Sequence, residues 1–161
     1  MNKLQKVLIG LSSVFLFTIL LSSCNKEQQI EKAIERLNQK MPRDAGGGIT
    51  ITRVEMNATA LEYQCSLDEE EQPLSVLKEH ATEFRNGIMK NLSNNLSNPA
   101  FKEIIETLVD TGRNLSYKIK GKEDSYYVNI SPGELQKMLN GDAPTTVTPS
   151  LDEPKDSTKT D

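Results

Sequence analysis

Residues 115–130 read Leu115-Ser116-Tyr117-Lys118-Ile119-Lys120, then Gly121-Lys122-Glu123-Asp124, then Ser125-Tyr126-Tyr127-Val128-Asn129-Ile130. Apolar and polar residues alternate on both sides of a glycine-containing turn, which predicts two half-buried antiparallel strands. The period of two sends Leu115, Tyr117, Ile119, Tyr126, Val128 and Ile130 inward, and Tyr127 outward beside Asn129. Tyr127 is therefore the aromatic singled out as an exposed contact. Ser131-Pro132-Gly133-Glu134 follows at once. Serine at the cap, proline at the first helical position and glutamate at the third form a capping box, opening a short helix through Leu135 and Met138 that Gly141 closes.

The same reading extends towards the amino terminus. Ile49 to Met56 is rich in β-branched residues, and its inward set changes parity between Ile51 and Val54, which a bulge near Arg53 explains. Asn57-Ala58-Thr59-Ala60 is a turn into Leu61–Leu67, where Leu61, Tyr63, Cys65 and Leu67 alternate inward, giving a first hairpin. Ile30, Ala33, Ile34, Leu37 and Met41 have helical spacing, ended by Pro42; Arg43 to Gly48 then reads as a loop. After Pro73, Leu74, Leu77, Ala81, Phe84, Ile88, Leu92 and Leu96 mark one long amphipathic helix, with Asp68 to Glu71 at its positive end. A further helix begins around Pro99, carries Phe101, Ile104, Ile105 and Leu108, and is capped by Gly112. The expected domain is α+β: a four-stranded antiparallel sheet from two hairpins packed against helices, in the order α-ββ-αα-ββ-α, over residues 28–140. Residues 141–161 are rich in Thr, Pro and Asp, a composition expected to stay disordered.

The whole chain has 161 residues with 19 basic and 23 acidic side chains. Residues 1–23 hold 13 apolar residues, two lysines and no acid, so 17 basic and 23 acidic side chains remain beyond them, a balance of −6. That excess, with no cluster of Lys and Arg, argues against a nucleic-acid partner. Lys3 and Lys6 precede an apolar core from Val7 to Leu21, and Leu21-Ser22-Ser23-Cys24 follows. A stretch of roughly 15 apolar residues is short for a membrane span and suits a cleaved export signal.

This segment resembles a bacterial lipoprotein signal with its lipobox. The resemblance implies cleavage between Ser23 and Cys24, acylation of Cys24, and a membrane partner engaged through those acyl chains. Two or more chains hold a protein stably on a bilayer. Asn25 in place of aspartate favours, by the same resemblance, the outer membrane, with the periplasmic and surface faces both open. Residues 24–27 would be a tether reaching no more than about 14 Å, which keeps the domain against the membrane. The domain itself is faintly similar to small uncharacterised exported bacterial proteins. That likeness runs through Asn38-x-x-x-Pro42, Thr50 to Val54, Leu61-x-Tyr63, Gly112-x-x-Leu115-x-Tyr117 and Val128-x-Ile130.

Chemistry-bearing residues are sparse. With Cys24 acylated, Cys65 stands alone, a small inward hydrophobe without a readable activating base. Gly46 to Gly48 follows a helix and opens a strand, the reverse of a phosphate-binding loop, and reads as a hinge or mobile loop. Asp68 to Glu71 lacks the alternate spacing of a calcium loop. His80 is the single histidine, on the flank of the long helix, and has no second histidine for a zinc pair. No catalytic residue, metal or cofactor is therefore assigned. Asp156-Ser157-Thr158 resembles an O-glycosylation acceptor pattern of some Gram-negative anaerobes, which implies modification at Ser157. The reading is a non-enzymatic, lipid-anchored envelope protein acting on a protein or glycan. A lipid-anchored inhibitor or immunity-type protein is the alternative, and an envelope hydrolase, needing a deep pocket joining His80 to an acid such as Asp110, comes third.

Overall fold

The computed structural model describes residues 26–142. In chain order the elements are α1 (Lys26–Asn38), β1 (Arg43–Gly46), β2 (Ile49–Met56), β3 (Ala60–Leu67), α2 (Leu74–Glu79), α3 (Ala81–Asn95), α4 (Pro99–Asp110), β4 (Asn114–Lys120), β5 (Ser125–Ile130) and α5 (Pro132–Leu139). The fold is mixed α+β, with one five-stranded sheet in the order β1-β2-β3-β4-β5.

Three features differ from the sequence expectation. The sheet has five strands, not four, because Arg43–Gly46, expected as loop, pairs antiparallel with β2. Gly46 to Gly48 is consequently the tight turn of this β1–β2 hairpin rather than a hinge, each glycine at positive φ where an L side chain is strained. Secondly, the sheet is not wholly antiparallel: β3 and β4 run parallel, with Leu61 beside Leu115 and Tyr63 beside Tyr117. Helices α2 to α4 form the crossover that returns the chain to the starting end of β3, so β4 must point the same way. Thirdly, the long helix is interrupted at His80 (φ −102°, ψ 33°), which separates α2 from α3. The apolar steps Leu77, Ala81 and Phe84 pass through the break, and spacing alone could not reveal it. The acids also lie elsewhere: α2 carries none in its first turn, and Asp68 to Gln72 form the approach to it.

Other local signals have the expected form. The β2–β3 register shifts between Ile51 and Arg53, leaving Thr52 and Arg53 both exposed while Ile51 and Val54 point inward. Ser131 Oγ accepts from the Glu134 N–H, and Glu134 Oε2 accepts from the Ser131 N–H at 3.0 Å, completing the capping box of α5. Asn98 caps α4, its side chain accepting from the N–H groups of Ala100 and Phe101.

The inward strand residues Ile49, Ile51, Val54, Leu61, Tyr63, Cys65, Leu115, Tyr117, Ile119, Val128 and Ile130 join helical residues such as Ile34, Leu77, Phe84, Phe101 and Leu135 in one buried cluster. The Tyr63 and Tyr117 rings stack at its centre, 5.1 Å between centroids. The helices thus cover one face of the sheet; on the other, the strand residues remain exposed or half-exposed, Ala60 and Ser116 excepted.

Two polar devices fasten the periphery. Glu69 Oε1 accepts from the Lys122 N–H at 2.5 Å, tying the approach to α2 onto the β4–β5 turn. Arg85 Nη2 on α3 donates to Glu134 Oε1 at 2.6 Å and to the Asn129 carbonyl at 3.3 Å, joining α3, α5 and β5.

Candidate interaction face

The uncovered face is laid out by register. One row across the sheet is Glu55, Glu62, Ser116 and Asn129; the next is Arg53, Gln64, Lys118 and Tyr127; a third is Thr50, Ser66, Lys120 and Ser125. The carboxylates of Glu55 and Glu62 therefore lie in the first of these rows, and Lys118 and Lys120 in the second and third.

Most of these side chains are already organised by their neighbours. Arg53 Nε meets Glu55 Oε1 at 2.6 Å, and Gln64 Nε2 donates to Glu55 Oε2 at 3.0 Å, so one carboxylate ties the two side chains together. The Thr52 hydroxyl donates to the Gln64 carbonyl at 3.0 Å, and the Ser116 hydroxyl donates to Asn129 Oδ1. Lys118 Nζ lies over the Tyr127 ring, 5.7 Å from its centroid, in cation–π range. Tyr127 is 45% exposed, the exposed large hydrophobic among the described residues. An aromatic body at the edge of a flat polar surface can contribute apolar area and hydrogen bonds together.

The remaining sequence-marked residues are not gathered around it. Cys65 is buried, and burial pushes its thiol up to about 12, so it is protonated and inert at neutral pH. Burial likewise raises the Tyr63 and Tyr117 phenols well above their ordinary value, and partial burial against Phe84 raises that of Tyr126. His80 is exposed at the α2–α3 junction, and Asp110 ends α4. A surface hollow of about 330 Å³ between α2 and the β4–β5 turn has Glu69, Lys78, Lys122 and Asp124 on its walls; neither His80 nor Asp110 lines it. Lys78 and Asp124 pair across that hollow, and the hydrogen bond from Lys78 holds the Asp124 carboxyl below its ordinary range. Burial alone would raise the Glu134 carboxyl, but hydrogen bonds from Ser131 and from Arg85 outweigh it and leave the group lowered. Among the described residues, no group of three or more His, Cys, Asp or Glu side chains could hold a metal ion.

Sequence periodicity located Tyr127 but missed Arg85, whose role depends on where α3 crosses β5. Ser23, Cys24 and Ser157 lie outside the described residues. Among the described residues, no helix is long and apolar enough to cross a membrane.

The fold and its uncovered face define a small α+β protein with a helical layer on one side of a mixed sheet. No protein-family model matches the chain, and no curated protein matches it. A solved structure from Pseudomonas aeruginosa, described as a candidate secreted protein, is similar over 69% of this chain and 90% of its own, at 14% identity and a TM-score of 0.41.

Proposed function

We propose that the protein is a lipid-anchored interaction module of the cell envelope, held to the outer membrane by acyl chains on Cys24 and contacting a protein or glycan through the uncovered sheet face. The observation that carries the contact surface is Tyr127, exposed on a face whose polar side chains are held in place by one another. No assembled catalytic group enters this reading; the protein acts by binding. The anchor rests on the sequence of residues 1–24, and Ser157 is the proposed acceptor for a sugar.

The test is the intact mass of the protein from its native host, with protease accessibility on the same cells. A mass of residues 24–161 plus acyl chains supports the anchor, and additional hexose-sized increments lost on Ser157→Ala support the glycan. An unacylated chain starting elsewhere refutes the anchor. For the surface, cross-linked or co-sedimented envelope material should fall for Tyr127→Ala relative to the native chain; equal capture by both removes the face from the proposal.

A further inference from the structure

The β4–β5 hairpin fixes which backbone groups of β5 are free. The Gly121 N–H donates to the Asp124 carbonyl at 2.8 Å, so residues 121 and 124 form a hydrogen-bonded pair. Hydrogen-bonded and non-bonded pairs alternate along an antiparallel ladder. The bonded pairs are therefore Ile119 with Tyr126, Tyr117 with Val128, and Leu115 with Ile130. Ser125, Tyr127 and Asn129 aim their N–H and C=O groups away from β4. The Arg85 contact is an independent check, because a guanidinium on α3 reaches the Asn129 carbonyl from that side.

Among the described residues, no strand lies beyond β5. Two of its outward groups are occupied: the Asn129 carbonyl by Arg85, and the Ser125 N–H by Asp124 Oδ1 at 2.6 Å. The Tyr127 N–H, Tyr127 C=O, Asn129 N–H and Ser125 C=O have no partner among the described residues.

We infer that β5 pairs antiparallel with β5 of a second copy of this chain across a two-fold axis at Tyr127. The free groups are self-complementary in that register. Tyr127 exchanges both backbone bonds with Tyr127 of the second copy, and each Asn129 N–H reaches the Ser125 carbonyl opposite. The Asn129 carbonyl and the Ser125 N–H also face each other in that register, so the side chains of Arg85 and Asp124 must swing aside from them as the strands close. The two-fold also brings the Arg85 end of one strand to the Asp124 end of the other, cation towards anion. The two Tyr127 rings become cross-strand neighbours, with Cα atoms about 5.5 Å apart, on one continuous uncovered face. An isologous contact of this kind closes as a dimer, and it pairs an edge that would otherwise remain a template for aggregation.

The experiment is sedimentation of the full chain in detergent over a wide concentration range, with residue-resolved amide exchange. The native chain should dimerise, and on dilution the Tyr127 and Asn129 amides should lose protection while Val128 keeps it. Tyr127→Pro removes an N–H that points away from the ladder, so the monomer tolerates it, and should weaken dimerisation about tenfold or more. Tyr127→Val keeps that N–H and should stay within about threefold of the native chain. A chain that stays monomeric throughout, a Tyr127→Pro variant that dimerises like the native chain, or a dimer whose Tyr127 and Asn129 amides exchange freely would each overturn the inference. Exchange on the native chain needs no variant to fold. Backbone pairing is separable from the side-chain contact proposed above: dimerisation without ligand capture supports this inference and refutes that one.

Discussion

The Asn38 side chain and the Val54 backbone exchange two hydrogen bonds: Asn38 Nδ2 donates to the Val54 carbonyl, and the Val54 N–H donates to Asn38 Oδ1, both at 2.8 Å. The β1 pairing with β2 covers Ile49 to Ile51, so the side-chain amide supplies a further rung where that short strand is absent. It also lies immediately beyond the bulge at Arg53 and ties the end of α1 to the sheet.

Replacing Asn38 by alanine leaves a donor and an acceptor of a half-buried backbone unpaired. The expected loss is about 1–3 kcal/mol, read from urea unfolding at neutral pH. Asn38→Asp keeps the acceptor but faces a carboxylate oxygen towards the Val54 carbonyl, and should recover none of that loss. A midpoint unchanged by either substitution would show that water replaces the amide at no cost.

The Arg85–Glu134 pair predicts a pH dependence. The Glu134 carboxyl is lowered in the folded protein, so its stabilising contribution is fully present above the ordinary glutamate value of 4.5 and is lost as pH falls through the lowered folded value. The stability difference between the native chain and Glu134→Gln should therefore be constant at neutral pH and shrink below about pH 4.5. A double-mutant cycle with Arg85→Met should give a coupling on the order of 1 to 2 kcal/mol at pH 7. A gap that widened on acidification would contradict the assignment.

Gly121 permits the Glu69 contact. A Cβ built there would overlap Glu69 Oε1 and approach Leu74 Cδ2 to 3.2 Å. Gly121→Ala should destabilise the chain by about 1 kcal/mol, and most of that penalty should vanish in a Glu69→Ala background, where the obstructing carboxylate is gone. Strict additivity of the two substitutions in thermal unfolding would place the cost in the backbone instead.

Cys65 should be silent to thiol reagents in the folded protein at pH 8, because burial pushes its thiol up to about 12 and the side chain lies buried within the core cluster. Labelling should track global unfolding in urea, with a midpoint matching that seen by circular dichroism. Rapid labelling under native conditions would reveal local opening of β3.

Periodicity alone carried much of this architecture. Alternation at Leu61, Tyr63 and Cys65, and again at Tyr126, Val128 and Ile130, sorts inward from outward residues because adjacent side chains of a strand point to opposite faces. The same rule placed Tyr127 on the outside, and the parity change between Ile51 and Val54 located the bulge. Ser131 and Glu134 announced their helix because a capping box is made within four consecutive residues. Arg43–Gly46 left no such trace: it is short, ends in glycine, and is a strand only because β2 offers it a ladder.

What the sequence by itself determined are the local elements, their buried faces and the orientation of Tyr127, since each follows from the period of a backbone and the partition of side chains between core and water. Tertiary structure decided how those elements combine. The parallel pairing of β3 and β4 depends on where three helices deposit the chain. The break at His80 is hidden by apolar spacing that continues through it. The reach of Arg85 to Glu134 joins residues 49 positions apart, a distance over which no local propensity acts and only packing can choose the partner.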